Sequence, residues 1–178
     1  MDPLLAIHSL IYTVKFGMVG SFRAPNVAEV LFSDGTLKPE EISTYEAVLE
    51  QQLPHGLQLN ASVFYNQITD LVNVDPAEFF FRNLGDAETL GGSVELTAKL
   101  ANRMQGRVSY TYQDSQDTAT GEWLTNSPRH LAKAALSVPF FNEKLHASLE
   151  VQYSSEVLNA RGESVDGEVV ENFVLFCK

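Results

Sequence analysis

The sequence predicts an all-β chain, an antiparallel meander of about eight strands, and three observations carry this. Apolar residues recur with a period of two, the mark of strands whose faces differ. The connections between periodic segments alternate short and long, as in a chain that doubles back at every turn. No run of about 18 apolar residues exists, so a helical membrane span is excluded, whereas a barrel of strands with alternating polarity is not.

The clearest strands are Leu57–Tyr65 and Leu145–Tyr153. In the first, Leu57, Leu59, Ala61, Val63 and Tyr65 alternate with Gln58, Asn60 and Ser62, and only Phe64 breaks the pattern. In the second, Leu145, Ala147, Leu149, Val151 and Tyr153 alternate with His146, Ser148, Glu150 and Gln152. An early strand is expected around Leu10–Gly17. Thr44–Leu53, Ser93–Leu100, Gln105–Gln113, His130–Phe140 and Glu168–Phe176 repeat the pattern less cleanly. Pro54-His55-Gly56, Ala101-Asn102-Arg103-Met104 and Phe141-Asn142-Glu143-Lys144 are the short turns. Asp75–Glu88, Asp114–Pro128 and Ser155–Gly167 are the long loops.

The chain's 178 residues suit one domain. Twelve basic against 23 acidic residues leave a formal charge of -11, so a nucleic-acid partner is not expected. A mean hydropathy of -0.08 fits both a soluble and a barrel protein. One cysteine, Cys177, excludes an internal disulfide framework. Met1–Gly17 has Asp2 where a signal peptide would carry a base, so no export address is expected within it.

Tyr45 and Tyr65 lie about nine residues on either side of the Pro54 turn, and Tyr112 and Tyr153 stand at a similar distance beyond theirs. Aromatic rings at one height suggest a girdle at a membrane interface; cross-strand aromatic pairing in any antiparallel sheet is the plainer reading. Alternation alone does not say which face points outward.

Several segments resemble a known family. Phe22-Arg23-Ala24-Pro25-Asn26, followed by Glu29-Val30, resembles the Phe-Arg-Ala-Pro element of TonB-dependent outer-membrane receptors. Leu37-Lys38-Pro39-Glu40 with Thr44-Tyr45-Glu46 resembles the element that opens their next strand. Ser62 to Asp70, with Phe64-Tyr65 and Ile68, is similar to a strand end of that family. Asn83 with Gly85, then Gly92 and Glu95, resembles its Asn-x-Gly…Gly-Val-Glu segment, with Ser93 as an extra residue that bears on local register. Ser109 to Tyr112 and Asn126-Ser127-Pro128-Arg129-His130 resemble the hairpin that follows.

The resemblance implies a partial transmembrane β-barrel over residues 1–178, a fragment of a larger plugged barrel without its plug. It implies the outer membrane of a Gram-negative bacterium and contact with its lipid. It implies uptake of a ferric siderophore or similar scarce nutrient, the ligand a metal chelate, with the TonB complex acting through the missing plug. No cofactor and no enzymatic activity are expected. The alternatives are a soluble antiparallel barrel that binds a small apolar ligand, and a stand-alone eight-stranded outer-membrane barrel.

No catalytic constellation appears. His8, His55, His130 and His146 are scattered, and Glu40-Glu41 point to opposite faces of a strand. Arg23 is a candidate contact for an anionic ligand or, alternatively, an orderer of its own loop. Phe79-Phe80-Phe81 in a long loop are candidates for ligand contact or for packing beneath folded loops. Asp75, Glu78, Asp86, Asp114, Asp117 and Glu122 read as a solvated rim.

Overall fold

The period-two segments become strands, and most extend beyond the stretch where their alternation is legible. The computed structural model describes residues 12–75, 79–83, 85–100, 103–141, 144–159 and 161–177. His8, Leu10, Glu78 and the turn centres Ala101-Asn102 and Asn142-Glu143 lie outside the described residues.

The strands are β1 (Tyr12–Arg23), β2 (Glu40–Leu53), β3 (Leu57–Thr69), β4 (Val72–Val74), β5 (Phe81–Asn83), β6 (Ala87–Lys99), β7 (Gln105–Asp117), β8 (His130–Phe140), β9 (Leu145–Ser154), β10 (Val157–Leu158), β11 (Ser164–Val165) and β12 (Glu168–Cys177). One short helix, α1 (Val27–Leu31), follows β1. Eight strands form one antiparallel sheet in the order β1-β2-β3-β6-β7-β8-β9-β12, the predicted meander. The pairs β4–β5 and β10–β11 are small ribbons inside the long loops. Ser93 leaves the register intact: it faces Ser62, their hydroxyls are 2.9 Å apart, and the ladder runs unbroken from Leu57–Ala98 to Ile68–Ala87.

The strands are staggered in a regular way. One ladder row joins Leu53, Leu57, Ala98, Gly106, Leu136 and Leu149. It starts at the β2–β3 turn and ends four residues above the β8–β9 turn, where Phe140 faces Leu145. Those turns are four strand positions apart, so the turns descend one residue per strand. A rise of about 3.3 Å per residue over a spacing of about 4.8 Å corresponds to a tilt of about 35°, within the range of membrane barrels.

The tyrosines obey the same stagger. Tyr45 faces Tyr65, whose row continues through Leu90 to Asp114; Tyr112 lies two residues below Asp114, two strands further on. Tyr153 shares its row with Ala132 and Tyr110, again two residues lower and two strands on. In a tilted sheet these rings share one height. The plainer reading also holds for one pair, because Tyr45 and Tyr65 stack with centroids 6.4 Å apart.

The two faces are inverted relative to a protein that folds around an apolar core. On the apolar face Phe16, Val63, Leu90, Val108 and Phe173 are 83%, 62%, 64%, 59% and 65% exposed. On the other, Asn60, Ser62, Glu95 and Ser109 are half-buried, and polar contacts join Asn60 to Glu95 and Ser62 to Ser93. Among the described residues Ala87 is the one apolar side chain that is fully buried. The neutral amide of Gln51 and the carboxylate of Glu171 interrupt the apolar face near its two edges, where a polar or charged group costs least. A soluble barrel would place these apolar side chains inside, whereas hydrocarbon leaves them where they are. The half-buried polar face is the one that meets the lumen.

Phe64, which breaks the alternation, has a specific task on that luminal face. It pairs with Gly91, and a Cβ at Gly91 would strike the Phe64 ring and stand 2.7 Å from the Tyr112 carbonyl oxygen. The ring covers a bare stretch of backbone. Gly91→Val should therefore cost about 3 kcal/mol through overpacking, read as a lower urea midpoint of the detergent-folded barrel. Gly17→Val, with nothing within 4 Å of the new Cβ, should leave the midpoint unchanged.

The short turns are tight. His55 and Gly56 both take left-handed backbone, at φ 64° and 76°, and a Cβ on Gly56 would collide with the Lys99 carbonyl.

Candidate functional site

The residues of the family-like elements converge at the long-loop end of the sheet. Arg23 ends β1 directly opposite Glu40, which opens β2. Both side chains leave from the luminal face, several residues beyond the tyrosine level. Nε and Nη2 of Arg23 donate to the two carboxylate oxygens of Glu40 at 2.6 and 2.7 Å, a bidentate fork. Nη1 donates to both oxygens of Glu29 at 3.1 Å. Glu29 and Glu40 are both buried. The paired guanidinium is held above the usual arginine range, chiefly by its bond to Glu40. The Glu40 carboxyl is held below the usual glutamate range, chiefly by Arg23 and against the effect of burial.

Glu29 is delivered by α1. Pro25 turns the chain out of β1, and Asn26 caps the helix by accepting from the Glu29 N–H at 3.0 Å. The Glu29 carboxylate accepts from the Asn26 N–H at 2.7 Å, which completes a capping box. One carboxylate thus closes a helix start and half of an ion cluster. Ala24 is the exposed link between strand and cap, and Phe22 lies exposed on the apolar face.

The second half of the clamp comes from the β3–β6 connection. Val72 N–H donates to Glu40 at 2.8 Å. Asn83 accepts from the Lys38 N–H at 2.9 Å and donates to the carbonyls of Lys38 and Asp70. The Leu37-Lys38-Pro39 segment is thereby stitched to the β4–β5 ribbon. Phe81 N–H donates to the Phe32 carbonyl at 2.8 Å, and Ser33 bridges Phe81 in parallel. The chain after α1 thus runs alongside β5. Because these anchors attach to luminal side chains, α1 and the β4–β5 ribbon lie on the luminal side of the rim.

The other sequence candidates are dispersed. Arg129 donates to Asp114 at 2.9 Å and lies 4.6 Å from the Trp123 ring centre. Pro128 offers its carbonyl to Gln113. The His130 N–H donates to the Ser155 hydroxyl at 3.1 Å, and the His130 Nδ1 lies 2.7 Å from the Tyr110 hydroxyl, with Tyr112 5.3 Å away ring to ring. His130 thus belongs to the aromatic level on the outer face. Glu95 meets Asn60, Thr97 and, at 3.8 Å, Arg107 along the lumen. Glu46 is exposed on the same face opposite Phe64, and Gly92 lets the Ser62 carbonyl approach a would-be Cβ to 3.0 Å. Among the described residues, no three His, Cys, Asp or Glu side chains are grouped to hold a metal ion.

Of the candidate ligand contacts, Arg23 is engaged on both edges by carboxylates. Phe79 is 80% exposed and Phe80 45%, both at the tip of the β4–β5 ribbon. Phe81 is half-buried in the ribbon, paired with Val74. Sequence reading missed α1, Glu29 as an ion partner, and Val72. The Asn26…Glu29 spacing is a capping signal that would have located the helix.

A family model described as TonB dependent receptor-like, beta-barrel, matches residues 12–174. The chain belongs to this family. Its place is the outer membrane of a Gram-negative cell, where receptors of this family reside. The iron-regulated outer membrane virulence protein of Vibrio cholerae serotype O1 is 25% identical over 192 residues, covering 91% of this chain and 28% of that protein. The chain therefore spans under a third of the length of that curated relative. Among solved structures, the ferric enterobactin receptor PfeA of Pseudomonas aeruginosa superposes with a TM-score of 0.74 at 16% identity, covering 97% of this chain and 31% of the receptor. The copper transporter OprC superposes at 0.71 with 18% identity, covering 94% and 28%. These likenesses establish the receptor-barrel architecture.

Proposed function

We propose that the chain is barrel wall and loop rim of a receptor that takes up a ferric siderophore or a similar scarce metal chelate. The observation that carries this is the rim itself: an ion cluster with two buried carboxylates, Glu29 and Glu40, folds two loop elements over the luminal side, where a ligand enters. An iron-regulated relative supports iron as the cargo. Uptake needs no bond to be made or broken, so the proposed role is transport and not catalysis. In the assembled receptor a plug would close the lumen, and the TonB complex would act on that plug to release the ligand inward.

The test is deletion of the reading frame that encodes this chain, followed by radio-iron uptake under iron limitation. Loss of uptake for one class of chelate, restored by the intact gene, is the expected result. Unchanged uptake across neutral, cationic and anionic chelates would refute the proposal.

A further inference from the structure

The rim carries an apolar cluster that the clamp does not use. Val27, Leu31 and Phe32 of the α1 region are 77%, 72% and 60% exposed. Phe79 and Phe80 stand at the tip of the ribbon joined to that region by the Phe81–Phe32 backbone bond. Phe79 adopts φ 59°, a left-handed conformation that a bulky side chain rarely takes. Its N–H donates to the Asp75 carbonyl and the Asp75 N–H to the Phe80 carbonyl, so local bonds hold the strained turn. These side chains lie beyond the tyrosine level, so lipid does not account for their exposure.

The charge around the cluster is one-sided. The long-loop segments 24–39, 70–86, 114–129 and 155–167 contain twelve acidic and four basic residues, a net -8 of the chain's -11. Three of the four bases are already paired: Lys38 with Asp70 at 3.6 Å, Arg82 with Asp75 at 3.4 Å, and Arg129 with Asp114 at 2.9 Å. A polyanion approaching this rim meets a negative field and finds its cations taken, whereas a neutral or positive ligand is not repelled.

We infer that this part of the mouth receives a metal chelate that is neutral or singly positive and presents apolar surface to Phe79, Phe80 and the α1 cluster. The inference rests on the receptor reading above and adds the class of chelate to it.

The experiment uses the receptor purified in detergent as the intact product of the natural reading frame. Its probes are a neutral ferric trihydroxamate, a monocationic ferric trihydroxamate and a trianionic ferric tris-catecholate. The neutral or the cationic chelate should bind at least ten-fold more tightly than the trianion at low salt. Added salt should narrow the gap by screening the repulsion. The double variant Phe79→Ser, Phe80→Ser should weaken the preferred chelate about ten-fold while heat-shifted gel mobility stays unchanged. Tightest binding of the trianion, with iron uptake intact, would overturn the inference and leave the receptor reading standing. So would a double variant that folds and binds as before; if the variant does not fold, the ranking of the three chelates decides alone. Failure of all three chelates both to bind and to enter the cell would overturn both.

Discussion

Arg23→Ala should unlatch the rim and destabilise the folded protein by about 3 kcal/mol, the scale of a broken ion cluster reduced for the partial exposure of the arginine. The substitution leaves Glu29 and Glu40, both buried, facing each other with no cation between them. Neither carboxylate can turn fully to water, because Glu29 also caps α1 and Glu40 also holds the Val72 N–H. Arg23→Lys should recover only part of the loss, since one ammonium cannot satisfy a bidentate fork and a second carboxylate together. The check is twofold: a lowered unfolding midpoint, and faster protease cleavage in segments 24–39 and 70–86 than in 155–167. Uniform protection across all three segments would show that the cluster does not hold the loops.

Acid should reproduce the same release. The folded-state pKa of Glu40 lies below its ordinary value of 4.5, so its contribution is fully present above pH 4.5. It is lost as pH falls through the lower folded value, where the carboxylate is protonated and the arginine fork is broken. Proteolysis of the same two segments should therefore rise below pH 4.5, and less so in Arg23→Ala, where the fork is already gone.

How legible this was follows from where each signal lives. The bounds of β8 were readable because its apolar alternation starts at the end of a proline-marked loop and stops at a short turn. The upper ends of β2, β3, β6 and β7 were not. Beyond the tyrosine level both faces of a strand are wet, so Glu40 to Ser43 or Asp114 to Asp117 lose their alternation while the backbone ladder continues. The early strand runs on to Arg23 for the same reason. Family-like elements were visible one at a time. Their meeting was not, because it depends on register: Arg23 is opposite Glu40 only through the β1–β2 ladder, and Val72 reaches Glu40 across 32 residues of sequence. The capping signal of α1 was present in Asn26 and Glu29, but Glu29 serves two structures at once and sequence displays only one of them.

The second large effect concerns which face meets lipid. Val94 sits between Ala61 and Tyr110 on the apolar face, five residues from the Lys99 end of β6. At about 2.7 Å of height per tilted residue it lies near the middle of a band about 25 Å tall. Val94→Arg should therefore cost about 2–4 kcal/mol in a bilayer. Gln116→Arg, on the same face but beyond the tyrosine level, should cost under about 1 kcal/mol, because the penalty falls toward the interface. Cost alone would not separate lipid from an apolar protein core, since a buried arginine is penalised in both. Val94→Phe separates them. Against fluid hydrocarbon a larger apolar side chain meets no fixed neighbours, and stability should stay within about 0.5 kcal/mol of the parent. In a packed core the same volume would force its surroundings apart at about 1–3 kcal/mol. A costly arginine with a harmless phenylalanine fixes the apolar face outward and the polar face, with Arg23 and Glu40 at its upper end, toward the lumen. A phenylalanine as damaging as the arginine would turn the sheet inside out and bring back the soluble barrel.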